Sequence, residues 1–317
     1  MLRTCEIGFD AVSAISRGRR QYQEDALVSD FPIGGDMGMV VLADGMGGHA
    51  AGDVASKIAV TEVFSELKLQ SGDVEAFEND APRILRDVAL GANECIRGHT
   101  RAHAETRGMG STLLALTFVN DRMFWISIGD SPLYLYRNGV LRQINQDHSM
   151  APQIDLLVRA GQMTVEEGSA HPDRNCLTSV LCGEEIPRID CPDEPLELLD
   201  HDMIVAASDG LQFLREDVIE MILQVHRHDS SAEIAQALLD ALERQDDPEQ
   251  DNIAISVVRA VSVQRNGRSR APAADPDLAR ADTPAPVERD LVTADRPSFL
   301  ENIFAFGRTN FSGSGSQ

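Results

Sequence analysis

Four aspartates flank short apolar runs in widely separated parts of the chain. Val40-Val41-Leu42-Ala43 leads into Asp44, Trp125-Ile126-Ser127-Ile128-Gly129 into Asp130, and Ile204-Val205-Ala206-Ala207-Ser208 into Asp209; Asp251 instead precedes the run Ile253–Val258. In an antiparallel sheet the start of one strand lies beside the end of its neighbour, so these carboxylates could gather at a single edge. Gathered there, they would repel one another strongly unless divalent cations compensated them. All-oxygen ligands, with no His or Cys at zinc spacing, point to Mg²⁺ or Mn²⁺. Two such ions about 3.5–4 Å apart form a hydrolytic centre for phosphate esters. Arg20, just before Glu24-Asp25, would add the cationic fork that a phosphate needs. Each residue also has a plainer reading. A single Asp can be a strand-end turn or a helix N-cap, and an arginine in Arg17-Gly18-Arg19-Arg20 can be a solvated surface charge.

The elements that must hold these groups follow from periodicity. The stretch from Met39 to His49 runs strand, acidic residue, glycine turn, helix start, with glycine where the backbone takes positive φ or a carbonyl must come close to a ligand. Strands are expected at 7–16, 26–31 and 38–43, and helical spacing at 50–70 and 73–104, where Pro82 limits any helix starting earlier. Short strands follow at 111–119, 122–129, 133–137 and 140–144, the last two joined by the hairpin dipeptide Asn138-Gly139. A helix is expected near 151–160, then a strand at 203–207, helices at 215–226 and 231–245, and the final strand at 253–258.

Composition narrows the class. The 317 residues include 28 basic and 51 acidic ones, a net charge of −23, which repels phosphate backbones and anionic lipid and argues against nucleic-acid or membrane binding. Five cysteines without a C-x-x-C read as reduced thiols, not as a disulfide frame or zinc site. Neither a signal-peptide h-region nor a run near the ~20 apolar residues of a membrane span is present, so a cytoplasmic protein is expected. Residues 262–317 are rich in Ala, Pro, Ser, Gly and Arg, with seven acidic and seven basic residues, so the whole excess charge falls on 1–261. The expected organisation is one domain over 1–261 and a disordered tail over 262–317, interrupted by the apolar cluster Phe299–Phe306.

The motifs, in order, resemble those of the metal-dependent, type 2C serine/threonine protein phosphatases in their bacterial form. They are Arg20-x-x-Gln23-Glu24-Asp25; Asp44-Gly45-Met46-Gly47-Gly48-His49 with Gly52-Asp53-x-Ala55-Ser56; Gly108-Met109-Gly110-Ser111-Thr112; Gly129-Asp130-Ser131; Asp147-His148-Ser149; His171-Pro172-x-x-Asn175-x-Leu177-Thr178; Ser208-Asp209-Gly210-Leu211; and Asp251-Asn252. The match covers about residues 7–259. The resemblance implies an α+β fold, a four-layer α-β-β-α sandwich of two antiparallel sheets flanked by helices, with the metal centre at one edge. It implies that Asp44 bridges two metals, that the Gly45 carbonyl ligates one, and that Asp209 and Asp251 hold the other. Glu24 and Asp25 would organise metal-bound water, Arg20 would bind the phosphate, and Asp130 with Asp209 would form a weaker third site. Residues 148–175 would be a variable flap beside the cleft. The implied activity is hydrolysis of phosphoserine and phosphothreonine in proteins by metal-bound hydroxide, in signal transduction, by a monomer opposing a bacterial Ser/Thr kinase.

The chain departs from that pattern in places. Met46 stands where animal relatives carry a His proposed as general acid; His49 is the nearby candidate, with capping or packing as its alternative. Phe213 replaces an Asp common four residues after Asp209, which bears on the third metal site, and Pro132 and Ser179 replace arginines. Two other readings remain: a catalytically weak member that binds phosphoproteins as a regulatory module, and an acidic cation-binding structural domain, which gives Arg20 no reason to sit beside the carboxylates.

Overall fold

Apolar strands that must bury both faces build the centre of the molecule. The computed structural model describes residues 6–33, 35, 37–48 and 50–263. One antiparallel sheet has the order β1 (Glu6–Ser16), β11 (Ile253–Val263), β10 (Met203–Ala207), β7 (Leu133–Arg137), β8 (Val140–Gln143). The other runs β2 (Asp25–Asp30), β3 (Met37–Met46), β5 (Leu113–Val119), β6 (Arg122–Ile128), β9 (Leu196–Glu197), with β4 (Gly110–Ser111) paired to the end of β3. Alternation along β3 shows how the layers form. Val40 and Leu42 pack with Leu114, Leu116, Ile204 and Ala254 between the sheets. Val41 and Ala43 point the opposite way and meet Val63, Leu67 and Leu85 of α1 (Ala50–Gln70) and α2 (Val74–Ala102). On the other outer face, α5 (Glu216–Val225) and α6 (Ser231–Gln245) bring Ile219, Leu223 and Leu238 onto Val205, Ile255 and Val257. The result is the four-layer α-β-β-α sandwich, each buried aliphatic side chain contributing about 1.5–3 kcal/mol.

Between β8 and β9 the chain leaves the sandwich in a long excursion containing α3 (Ala151–Arg159) and the short α4 (Val165–Ser169). Bridges Ser111↔Leu181 and Ser127↔Asp190 fasten it back to the sheets, and Ser149↔Leu177 closes its base on itself.

Several expected boundaries move, each for a physical reason. The strand at Asp44 does not stop there: β3 continues through Gly45 and Met46, which pair with Ser111 and Gly110. The chain turns instead at Gly47 and Gly48, whose φ values are 125° and 77°. The expected strand 111–119 is broken at Thr112 into β4 and β5, and that residue bonds to Asp44. Helix α2 runs straight through Pro82. Its missing N–H costs about 3 kcal/mol, offset by the buried Phe77, Ala81, Ile84 and Leu85 on either side. The last strand extends to Val263 because β1 pairs with it from Ser16↔Ile253 to Glu6↔Val263, so residues 262 and 263 belong to the sheet. The remainder of the expected tail, 264–317, lies outside the described residues. The Asn138-Gly139 hairpin stands as expected, with φ of 53° and 83°.

Candidate metal centre

Asp25 opens β2 directly opposite Asp44 on β3. Asp44 is fixed through its backbone: its N–H donates to Thr112 Oγ1 at 2.9 Å, and its carbonyl accepts the Thr112 N–H at 2.8 Å and the Ser111 hydroxyl at 3.0 Å. The buried Asp25 carboxylate accepts the Ser208 hydroxyl at 2.8 Å and a backbone N–H from Ala254. Ser208 directly follows β10 and Ala254 lies in β11, both of the sheet opposite β2 and β3, so these bonds draw the two sheet edges together.

Asp209 follows Ser208 at the end of β10 and opens a short 3₁₀ turn, Asp209–Phe213. Asp251 precedes β11, and its carboxylate is paired with the Arg20 guanidinium. Asn252 organises the whole loop before β2. Its carbonyl accepts the Glu24 N–H at 2.8 Å, and its amide donates to the Arg17 and Tyr22 carbonyls, both at 2.9 Å. The turn at Gly18 (φ 58°) tolerates no side chain, because a Cβ would lie 2.1 Å from the Asp251 carbonyl oxygen.

Thr112, Ser208 and Asn252 position the acids, but their types and spacing in the sequence give them no role. Each lies inside a quoted motif, beside or across from a carboxylate. Short polar side chains next to a functional acid were the available signal.

Electrostatics tie the acids into one centre. Asp25 is raised to about 7, mainly by burial and then by Asp209 and Asp251, against the Ser208 hydrogen bond. Asp44 is raised well above the ordinary carboxylate range by burial and by Asp25, Asp209, Asp130 and Asp251. Asp209 rises to about 6 through burial and Asp251, moderated by a hydrogen bond with the Asp44 carboxyl and by Arg20. Asp130 rises to about 7 through burial, Asp209 and Asp147. Except for Asp25 these side chains are only half-buried, yet the protein around them is dense enough that desolvation dominates each shift.

The donors fit hard divalent cations. Gly45 and Gly52 leave no room for side chains: a Cβ on Gly52 would lie 2.8 Å from Glu24 Oε1 and 2.9 Å from the Gly45 carbonyl oxygen. A carboxylate and a main-chain carbonyl thus converge on one glycine-lined recess. Among the described residues no three His, Cys, Asp or Glu side chains close by themselves into a ready-made ion cage. Ions here would also draw on backbone carbonyls and solvent, as Mg²⁺ and Mn²⁺ do.

Beside the acids opens a cleft of about 710 Å³. It is lined by Asp130, Asp209 and Tyr134, by Asp147, Arg174 and Asn175 of the excursion, and by Phe213, Glu216 and Asp217. The structure therefore brings Arg20, Glu24, Asp25, Asp44, Gly45, Asp209 and Asp251 together, with Asp130 lining the adjoining cleft. His49 lies outside the described residues.

Residues 15–247 match the family model for protein phosphatase 2C. The chain belongs to the protein phosphatase 2C family. A serine/threonine phosphatase, stp, of Listeria monocytogenes is 32% identical over 212 residues, covering 67% of this chain and 81% of that protein. The serine/threonine protein phosphatase PstP of Mycobacterium tuberculosis is 33% identical over 227 residues, 70% of this chain but 40% of that longer protein. Its crystal structure aligns with a TM-score of 0.66 at 29% identity, over 80% of this chain and 98% of that one. The catalytic domain of PstP solved with two manganese ions aligns at 0.64, with 29% identity.

The departures of this protein phosphatase 2C chain from the family pattern now have local accounts. Pro132 is buried and its carbonyl accepts the Ala207 N–H at 3.1 Å, joining β7 to β10. The Ser179 hydroxyl donates to the Arg188 carbonyl at 2.6 Å and accepts the Arg188 N–H at 3.2 Å, closing the loop between them. Phe213 is half-buried against the α5–α6 core while lining the cleft, so it presents an apolar wall there. Met46 is exposed at the rim.

Proposed function

We propose that this chain is a metal-dependent protein phosphatase that hydrolyses phosphoserine and phosphothreonine in proteins. The observation that carries this reading is the convergence of Asp25, Asp44, Asp209 and Asp251 from both sheets onto one edge with Arg20 beside them. Two Mn²⁺ or Mg²⁺ ions bound there would polarise the phosphoryl group and activate water for in-line attack. Asp44 and the Gly45 carbonyl would hold one ion, and Asp44, Asp209 and Asp251 the other. Asp130 with Asp209 would offer a weaker third position. Glu24 and Asp25 orient solvent toward the phosphorus. Arg20 leaves Asp251 to grip the phosphate oxygens in a planar fork. Met46 carries no exchangeable proton, so we assign protonation of the leaving alkoxide to solvent ordered by Glu24 and Asp25. The protein substrate would lie in the cleft between the excursion and α5.

The physiological setting belongs to the same proposal: a monomer in the cytoplasm that reverses a bacterial Ser/Thr kinase. The free thiols Cys95, Cys176, Cys182 and Cys191 suit a reducing compartment, and among the described residues no helix is long and apolar enough to cross a membrane. The test is release of phosphate from a phosphothreonine peptide by purified protein with Mn²⁺. Activity that persists in excess chelator, or in Asp209→Asn, would overturn the reading.

A further inference from the structure

The Asp147-His148-Ser149 motif has no part in the chemistry above, yet His148 is buried at 1% exposure and occupies a junction. On one side it clamps Gly129, the residue before Asp130. Its backbone N–H donates to the Gly129 carbonyl at 3.0 Å, and its Nδ1 accepts the Gly129 N–H at 3.3 Å. Gly129 has φ of 109°, and a Cβ there would lie 2.6 Å from Thr112 Cγ2. The turn that aims Asp130 is therefore pressed between Thr112 and the imidazole.

On the other side, the His148 carbonyl accepts both the N–H and the hydroxyl of Thr178, each at 2.7 Å. Ser149 bridges Leu177, and the Met150 N–H donates to the Cys176 carbonyl at 3.0 Å. Both ends of the segment 149–177, which carries α3 and α4, thus leave the sandwich through this residue. The ring itself is revealing. With Nδ1 accepting, the proton sits on Nε2, which is buried without a hydrogen-bond partner among the described residues. An orphaned donor costs free energy that an apolar ring of similar size would avoid. What an apolar ring lacks is the acceptor facing Gly129.

We propose that His148 is a positioning residue that couples the 149–177 segment to the Asp130 carboxylate, so that peptide held by the segment and a cation at Asp130 each favour the other. The coupling must be reciprocal, since both bias one shared turn. Its consequence for the substrate rests on the phosphatase reading; the mechanical coupling does not.

The test compares His148→Phe, which keeps the volume and removes the acceptor, with His148→Asn, whose Oδ1 can replace Nδ1. Supporting-shell substitutions of this kind typically change metal affinity or activity about 10-fold or more. His148→Phe is expected to lower kcat/KM on a phosphothreonine peptide by about that factor and to raise the Mn²⁺ concentration for half-maximal activity, with p-nitrophenyl phosphate, which has no peptide to hold, less affected. His148→Asn should recover most of the loss, and in an Asp130→Asn background His148→Phe should cost nothing further.

A readout independent of turnover is tryptic cleavage at Arg159 and Arg174 inside the segment. Mn²⁺ should alter the cleavage rate in the wild type and in His148→Asn, but not in His148→Phe. Should His148→Phe not fold, Thr178→Val removes the hydroxyl bond alone and is expected to show the same pattern more weakly. Additive losses with Asp130→Asn, or cleavage that responds to Mn²⁺ equally in a folded His148→Phe protein, would overturn the proposal. A wild type that hydrolyses no phosphopeptide would overturn the phosphatase reading and leave the cleavage test to decide the coupling.

Discussion

Asp25 and Asp44 face each other as register partners across the β2–β3 ladder, a position where two like charges destabilise a sheet. Asp209 and Asp251 add to the repulsion from the opposing sheet. The fold holds this arrangement at a cost that varies with pH.

In chelator, stability should fall as pH rises. Burial holds Asp25 and Asp130 at about 7 and Asp209 at about 6 in the folded state, against 3.8 unfolded. The folded protein then binds more protons than the unfolded chain, so this contribution is intact below the unfolded value and is lost through pH 6 to 7. His148, pushed down by burial, acts in the opposite sense but is one group against four, since Asp44 is raised as well. Thermal melts in chelator should therefore give a lower Tm at about pH 8 than at about pH 5.5, and Mn²⁺ should raise the former selectively. A Tm that climbs with pH in chelator would contradict this account.

Asp44→Asn and Asp209→Asn each remove a charge from the centre while keeping its shape. Cation stabilisation of a phosphoryl transition state is worth several kcal/mol, so kcat should fall by about 10³-fold or more. Both proteins should stay folded, and in chelator at neutral pH they should melt at or above the wild-type temperature, because a repelling carboxylate is gone. Steady-state kinetics and calorimetry together check the pair.

Arg20 is exposed, and its partner Asp251 lies at the rim. For Arg20→Lys, which keeps the charge and loses the planar fork, a roughly 10-fold drop in kcat/KM is expected, and for Arg20→Ala about 100-fold. Stability should change by less than about 1 kcal/mol because the pair is solvent-screened. Equal activity for Lys and Arg would argue that the guanidinium geometry is unimportant.

Asn252→Ala deletes three hydrogen bonds that tie the loop before β2 to the start of β11. A loss of about 2–3 kcal/mol follows if the freed backbone groups stay dry, or roughly 5–10 °C in Tm at 2–4 °C per kcal/mol. Mn²⁺ affinity measured by titration calorimetry should weaken as well, since Glu24 and Asp251 lose their shared anchor.

Much of this was legible in the residues. Runs such as Val40–Ala43 and Ile204–Ala207 show strands buried on both faces, and the two sheets with flanking helices follow. The gathering of Asp44, Asp130, Asp209 and Asp251 was also legible, because antiparallel pairing dictates which ends meet. Less visible was anything decided by side chains across the sandwich. Nothing local reveals that Ser208 bonds Asp25, or that Asn252 spans from β11 to the Arg17 and Tyr22 carbonyls. Asp-Gly at 44–45 looks like a turn by composition, and only the β4 partner makes it a strand. Pro82 looks like a barrier, and only tertiary burial carries α2 through it.

The pairing of β1 with β11 has a consequence in time. The edge strand laid down first finds its hydrogen-bonding neighbour only when residues 253–263 have been made, and Asp251 with Asn252 arrives at the same late moment. On a ribosome, the nascent chain can pair β2, β3, β5 and β6 in order while the centre lacks one of its acids and the clasp that seats Arg20. On the ion-holding role proposed for Asp251, catalytic competence waits until synthesis has passed the last strand, and a fragment released before it is expected to carry most of the motifs and none of the activity.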